Sequence, residues 1–134
     1  MLFGDEHVRR YEETDGEVGH VWVNDAPVLI LTTTGRRSGR MRKSALIYQE
    51  DGGRYVVVAS KGGADAHPDW YRNLQANPQV GVQVGAERFA ARARTADPDE
   101  RARLWPLMAA VWPDYDSYQA ATDREIPVVV LERA

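Results

Sequence analysis

The pattern of hydrophobic and polar positions predicts a succession of short β-strands in the first half of the chain. Residues with β-branched and aromatic side chains are concentrated in the segments 18–23 and 27–34, and apolar runs mark the segments 43–50 and 54–60. Turn-forming residues separate these segments, with Asn-Asp at 24–25 and Asp-Gly-Gly at 51–53. We therefore expect two hairpins, one over 18–34 and one over 43–60.

Strand and helix signals alternate in the second half. Residues 67–74 predict a short helix with Pro68 at its first position, and Asn-Pro at 77–78 ends it. Short apolar or alternating segments follow and predict further strands over 80–84, 87–95 and 126–131.

A longer helix is predicted between the last two of these strands. Asp97 is a capping residue, Pro98 occupies the first helical position, and Glu100 completes a capping-box pattern. Leucine, methionine and valine then recur at helical spacing as far as Trp112. We expect an aromatic loop over 112–118 after this helix.

Six or seven short strands in sequential hairpins indicate a mainly β, α+β fold. The expected architecture is an antiparallel sheet closed into a small barrel, with helices covering its ends. A chain of 134 residues is long enough for one domain, which we place over 1–134. No Gly-x-Gly-x-x-Gly pattern follows a strand, so a dinucleotide-binding Rossmann domain is not expected.

Composition narrows the possible functions. The chain has no cysteine, which excludes disulfides, thiolate metal sites and a cysteine nucleophile. Its three histidines form no metal-binding pattern, so no metal is expected. The N-terminal segment has no secretory signal and no apolar run is long enough to span a membrane, which favours a cytoplasmic location. A net charge of −3 argues against general nucleic-acid binding.

One segment of the chain is strongly basic although the net charge is negative. The segment Arg36–Lys43, called here the basic segment, holds five basic residues in eight positions. Arginine forks bind phosphate or carboxylate, and the Ser38 and Ser44 hydroxyls add donors. Strand alternation would turn Arg42 and Ser44 to one face and Lys43 to the other. The segment thus predicts an anion site, with a solvated loop paired to acidic residues as the alternative.

Two other segments are candidates for ligand binding. Residues 59–63 (Ala-Ser-Lys-Gly-Gly) end a strand on two glycines, so their backbone can approach a flat ligand; the alternative is an ordinary turn. Trp112, Tyr115 and Tyr118 would share one face of a helical turn and wall a pocket, unless they belong to the core. No hydrolytic motif is present, so a cofactor would have to supply any chemistry.

Four motifs occur together in this chain, in the order 31–42 (Leu-Thr-Thr-Thr-Gly-Arg-Arg-Ser-Gly, then Arg42), 58–64, 68–78 and 115–127. As an ordered set they resemble the deazaflavin (F420)-dependent nitroreductase family of actinobacteria, also described as F420H2-dependent quinone reductases. The resemblance implies a split β-barrel fold related to FMN-binding oxidoreductases. It also implies coenzyme F420, an 8-hydroxy-5-deazaflavin with a phospholactyl group and a tail of glutamates.

The resemblance also implies residue roles. The phosphate and tail carboxylates would bind to Arg36, Arg37, Ser38, Arg42, Lys43 and Ser44. The path to the ring would be lined by Ala45, Leu46 and Ile47. The deazaflavin would contact Val58, Ala59, Ser60 and Lys61. The wall of the cofactor site would be completed by Asp69, Trp70, Tyr71, Arg72 and Asn73. The catalytic, substrate-side residues would be Ser60, Trp112, Tyr115 and Tyr118.

The implied reaction transfers a hydride from C5 of the reduced deazaflavin to a quinone-like or nitroaromatic acceptor. Trp112 stands where the family's nitroimidazole-reducing member has a tyrosine, and Ala45 stands where a proline is common. The charged start 5–13 is expected to form a helix at the pocket mouth. A homodimer and weak association with the inner membrane surface are further expectations.

Three alternatives stay open at this point. An FMN-dependent oxidoreductase of the same fold would use a flavin instead. A non-catalytic deazaflavin carrier would bind the same molecule without consuming it. A small nucleic-acid-binding barrel would use the basic segment on phosphates, although basic residues are scarce elsewhere in the chain.

Overall fold

The computed structural model describes residues 2–134, which form seven strands and four α-helices. The helices are α1 (Gly4–Glu13), α2 (Asp69–Ala76), α3 (Pro98–Val111) and α4 (Asp114–Ala120). The strands are β1 (Val28–Thr34), β2 (Met41–Ile47), β3 (Gln49–Asp51), β4 (Arg54–Val58), β5 (Gln79–Val84), β6 (Glu87–Thr95) and β7 (Val128–Arg133).

All seven strands belong to one antiparallel sheet in the order β2-β1-β5-β6-β7-β4-β3. The two edge strands, β2 and β3, are consecutive in the chain and are joined by Tyr48 alone. Because the chain crosses from one edge to the other within a single residue, the sheet must curl until its edges approach. The expected antiparallel α+β barrel is therefore confirmed.

Alternating side chains on the strands form separate hydrophobic clusters. Inside the curl, Leu31, Val57 and Val129 pack against Tyr71 and Leu74 of α2. The other sheet face is covered by α1 and α3, in two clusters that include Val8, Tyr11, Val28 and Ile30, and Val56, Val58, Leu104, Met108 and Val130. The helices thus close one end and the outer face of the sheet.

The expected hairpin over 18–34 is wrong. Only an isolated bridge joins Val21 to Pro27, and β1 pairs instead with β2 from Val28–Ile47 to Thr34–Met41. The segment 18–23 follows α1 through a turn in which the Thr14 hydroxyl accepts from the Val18 amide at 2.9 Å. The β-branched residues of this segment are therefore not part of a strand.

The hairpin over 43–60 is confirmed only at its turn. Residues 52–53 connect β3 to β4 as expected, but the paired region covers just Gln49–Asp51 with Arg54–Val56. Residues 43–47 belong to β2, whose partner is β1. The long strand is therefore divided at Tyr48, where the chain changes from one sheet edge to the other.

The predicted helices are present, and α3 has the side-chain cap that the sequence predicts. The Asp97 side chain accepts a hydrogen bond from the Glu100 amide at 2.9 Å, and α3 ends at Val111 with Trp112 as its C-cap. The N-terminal helix is present as α1. The expected aromatic loop over 112–118 is wrong, because residues from Asp114 onward form α4.

Candidate active site

A cavity of about 560 Å³, called here the main cavity, lies between α1, β2, the loop after β4 and α4. Its mouth is formed partly by the N-terminal residues Phe3 and Asp5 and by Trp22. Among the residues expected at the site, those lining it are Lys43–Ile47, Val58, Ser60, Lys61, Trp70, Trp112, Tyr115 and Tyr118.

A second cavity of about 450 Å³, the anion cavity, adjoins the first. Ser44 and Trp70 line both cavities, so the two adjoin there, and together they are called here the cleft. The expected residues that line the anion cavity are Arg36, Arg37, Ser38, Arg42, Ser44, Asp69, Trp70 and Asn73. The cleft is therefore basic at one end and aromatic at the other.

The cations of the anion cavity differ in their partners. Arg36 donates to Asn73 Oδ1 at 2.9 Å and to Asp69 Oδ1 at 3.3 Å, which holds it against α2. Within residues 2–134, the guanidinium groups of Arg37 and Arg42 donate to no other residue. The cavity thus contains two unneutralised arginine forks that suit phosphate or carboxylate.

Lys43 faces the opposite side of β2 and forms an ion pair with α1. Its Nζ lies 2.6 Å from Glu12 Oε2, and both side chains are partly exposed. Lys43 also lines the main cavity. An acid from the first helix therefore holds a cation that was expected to bind the cofactor tail.

The loop after β4 has an unusual backbone at its tip. Lys61, Gly62 and Gly63 all have positive φ, at 46°, 63° and 84°. A Cβ on Gly63 would lie 2.8 Å from the carbonyl oxygen of Tyr118, so only glycine fits there. The loop and α4 therefore pack backbone to backbone beside the main cavity.

Arg124 is a functional candidate that sequence reasoning missed. Its guanidinium donates to the carbonyl oxygens of Ala64 at 2.6 Å, Ser60 at 2.7 Å and Ala59 at 3.2 Å. Burial lowers the pKa of this guanidinium, although an arginine stays charged at any physiological pH. Arg124 belongs to the 115–127 motif, but its role depends on hydrogen bonds to a loop about sixty positions earlier in the chain.

The aromatic residues of α4 form one wall of the main cavity. Trp112 Nε1 donates to the Tyr118 hydroxyl at 3.3 Å, and the Tyr115 ring packs edge-on against Tyr118. Burial raises the pKa of the Tyr115 phenol, so this group stays protonated at neutral pH. Its hydroxyl has no partner among residues 2–134 and is available as a donor.

Trp22 extends this wall and was also missed. Its ring stacks on Trp112, with centroids 5.6 Å apart and an interplanar angle of 22°. Phe3 packs edge-on against the Trp22 ring, with 5.7 Å between the ring centroids. The sequence does not predict this contact, because a tryptophan at position 22 is compatible with a strand as well as with an aromatic cluster.

Three expected site residues do not line either cavity. Ala59 is buried, Tyr71 belongs to the interior cluster with its hydroxyl 2.8 Å from Thr95 Oγ1, and Arg72 is exposed on α2. In the part of the chain that the structure describes, no group of three acidic, histidine or cysteine residues could hold a metal ion. No helix within 2–134 is long and apolar enough to cross a membrane.

Fold and cleft together define a ligand-binding protein of the split-barrel class. A family model described as F420H(2)-dependent quinone reductase matches residues 4–133, and the chain belongs to this family. An F420H(2)-dependent quinone reductase of Mycobacterium tuberculosis (strain H37Rv) is 42% identical over 130 residues, which cover 95% of this chain and 87% of that protein.

Solved structures agree with this assignment. A structure of an F420-H2 dependent reductase, FDR-A, is 44% identical, covers 79% of this chain and 94% of its own, and superimposes with a TM-score of 0.74. A second, described as a domain-swapped dimer, is 42% identical over 93% of this chain and 96% of its own, with a TM-score of 0.75. The expected split barrel, enzyme class and use of coenzyme F420 are confirmed.

Proposed function

We propose that this F420H2-dependent reductase binds its cofactor along the whole cleft and reduces a quinone-like acceptor at the aromatic end. The observation that carries the proposal is that the two cavities adjoin at Ser44 and Trp70. A long molecule with an anionic tail and a flat ring fits a cleft that is basic at one end and apolar at the other.

The donors of the anion cavity fit the tail of coenzyme F420. Arg37 and Arg42 present unneutralised forks, and the Ser38 and Ser44 hydroxyls lie beside them. Arg36 is already held by Asn73 and Asp69, so its contribution is a fixed positive charge rather than a free fork. In this proposal the cavity holds the phosphate and the tail carboxylates.

The middle of the cleft would hold the ring. Ala45, Leu46 and Val58 supply apolar contacts there, and Ser60 and Lys61 supply polar groups. When bound, the reduced deazaflavin supplies a hydride. The role of the chain is to orient the two reactants and to exclude water, since proximity and orientation account for much of such a rate enhancement.

The aromatic end would hold the acceptor. Tyr115 and Tyr118 present phenols toward the main cavity, and Trp112 orients the Tyr118 hydroxyl through its indole nitrogen. A donor aimed at an acceptor oxygen stabilises negative charge that develops there. A planar quinone suits this wall of rings, and we extend the proposal to nitroaromatic compounds as a second acceptor class.

The test is a steady-state assay of the purified protein with reduced F420 and menadione, with nitroaromatic compounds as a second panel. We expect the absorbance of oxidised F420 to appear in proportion to protein and acceptor. Binding of F420 without oxidation by either panel would instead identify a carrier. Copurification with a yellow flavin, and activity only with FMN, would identify a flavin enzyme of the same fold.

We also propose that the protein associates with a second copy of itself or with a membrane surface in the cytoplasm. Phe3, Val21 and Met41 are large apolar side chains on the surface, and Phe3 lies at the mouth of the main cavity. They support a homodimer or weak contact with the inner membrane surface. Light scattering tests for the homodimer, and sedimentation with anionic vesicles tests for membrane contact. Fractionation of cells tests the cytoplasmic location.

A further inference from the structure

The loop after β4 is held by a single side chain from a distant part of the chain. Arg124 donates to the carbonyl oxygens of Ala59, Ser60 and Ala64, which bracket the positive-φ tip of the loop. Three carbonyl acceptors on one partly buried guanidinium fix both the ends and the direction of the loop.

The same residue connects the loop to the aromatic helix. The Arg124 carbonyl oxygen accepts from Gln119 Nε2 at 2.8 Å, and Gln119 belongs to α4. A bond from the Thr122 hydroxyl to Asp65 at 2.8 Å lies alongside. Movement of Arg124 would therefore change the loop and α4 together, and with them both walls of the main cavity.

His67 accepts the fourth hydrogen bond of this guanidinium. Arg124 Nη1 lies 3.1 Å from His67 Nδ1. Arginine can only donate, so Nδ1 must carry a lone pair and its proton must be absent. A second proton on His67 would replace this hydrogen bond by two cations in contact.

We propose that Arg124 and His67 act as a positioning pair, which holds the 59–64 loop in its binding conformation only while His67 is unprotonated. Neither residue lines the main or the anion cavity, so both act through the loop and not on the reacting atoms. The part of the proposal that concerns catalysis rests on the proposed binding of the ring beside Ser60 and Lys61.

The surroundings of His67 favour its neutral form. Arg124 faces it from the 121–127 segment, Arg72 faces it from α2, and the Tyr71 ring packs 4.8 Å from the imidazole centroid. The nearby acid, Asp65, is bonded to Thr122 and offsets the charge of Arg124. Burial first, and the two arginines second, lower the pKa of His67.

The sign of the pH effect follows from this shift. Unfolded His67 titrates near pH ~6.5, and the folded residue titrates at a lower pH. Its contribution is therefore complete above about pH 6.5 and is lost as the pH falls through the folded pKa. We expect a loop that is held at neutral pH and loosens in acid.

Amide hydrogen exchange in the cofactor-free protein tests the pair directly. After correction for intrinsic rates, exchange of a peptide covering 59–65 should become faster as the pH is lowered below about 6.5, by about tenfold once His67 is protonated, the effect of one lost charge-assisted hydrogen bond. Exchange in β5 (Gln79–Val84) serves as the internal reference and should change little.

Variants separate positioning from general stability. His67→Asn keeps an acceptor near the Nδ1 position but does not titrate, so its loop exchange should not respond to pH. Arg124→Lys keeps the charge and loses the fork, so its loop should exchange quickly at both pH values. If Arg124→Lys fails to fold, His67→Asn alone decides the question.

Two results would overturn the proposal: loop exchange in the wild type that ignores pH, or the same pH response in His67→Asn. A parallel titration with oxidised F420 extends the test to function, where affinity should fall in acid for the wild type and not for His67→Asn. If the exchange results hold but F420 does not bind, the proposed cofactor site fails while the positioning pair stands.

Discussion

Glu12 of α1 forms an ion pair with Lys43 of β2, with 2.6 Å between the carboxylate oxygen and the ammonium nitrogen. Lys43 lines the main cavity but not the anion cavity, where the tail carboxylates are proposed to bind. A tail glutamate that extends beyond the anion cavity to Lys43 would compete with Glu12 for this cation.

Glu12→Gln should therefore strengthen cofactor binding. Loss of the competing carboxylate frees Lys43 to bind the ligand. Because an exposed ion pair contributes at most about 1 kcal/mol, we expect the Kd for F420 to fall roughly two- to fivefold. Fluorescence titration with oxidised F420 measures this Kd. Glu13→Gln is the matched control, because its charge change is the same but its partner is Arg9. Equal effects of both variants would show that only net charge matters.

Gly63→Ala should destabilise the protein more than Gly62→Ala. Both glycines have positive φ, which costs an alanine about 1–2 kcal/mol. Only at Gly63 would the added Cβ meet the Tyr118 backbone, whereas nothing lies within 4 Å at Gly62. Thermal unfolding should show a Tm difference of several degrees between the two variants, about 3 °C per kcal/mol or more. Identical Tm values would argue against the close contact between the loop and α4.

Tyr118→Phe should lower turnover with little change in cofactor affinity. The substitution removes a hydroxyl that Trp112 orients at the acceptor end of the cleft, away from the anion cavity. The loss of one oxyanion donor lowers kcat by roughly 10²-fold where the bond forms only in the transition state. Steady-state kinetics with menadione and a separate F420 titration distinguish the two effects. Weaker F420 binding at unchanged kcat would move Tyr118 to the cofactor side.

Arg42→Ala should weaken cofactor binding by about 1–3 kcal/mol, the range for a lost charge-assisted hydrogen bond. Arg42 lines the anion cavity and has no partner in the part of the chain described. Arg40→Ala is the matched control, since Arg40 belongs to the same segment but does not line this cavity. The Kd for oxidised F420 measures both variants, and an equal, small effect would remove Arg42 from the site.

Local signals accounted for much of the fold. The Asp97 cap, the turn at 52–53 and the alternation in β5 act within a few residues, so the sequence alone was enough to predict them. The pairing of β1 with β2 was not predictable in this way, because residues 18–23 are richer in β-branched and aromatic side chains than β2 itself. Only competition for tertiary contacts decides between such partners.

The same distinction applies to the site. The basic segment and the loop at 59–63 are continuous in sequence, so their chemistry was visible there. Arg124 and Trp22 act through contacts with residues far along the chain, and neither belongs to a pattern with its partner. The pairing of Lys43 with Glu12 also required the position of α1 against β2.

In the proposed complex, one cleft binds the anionic tail at the basic segment and the ring near Ser60. The most direct measurement compares the affinity of the protein for intact oxidised F420 with that for the same deazaflavin lacking the phosphate and glutamates. We predict that removal of the tail raises Kd by at least about tenfold, the value of one or more charge-assisted bonds, and that this difference shrinks in Arg42→Ala. Equal affinity for the two molecules would show that the basic segment does not bind the tail.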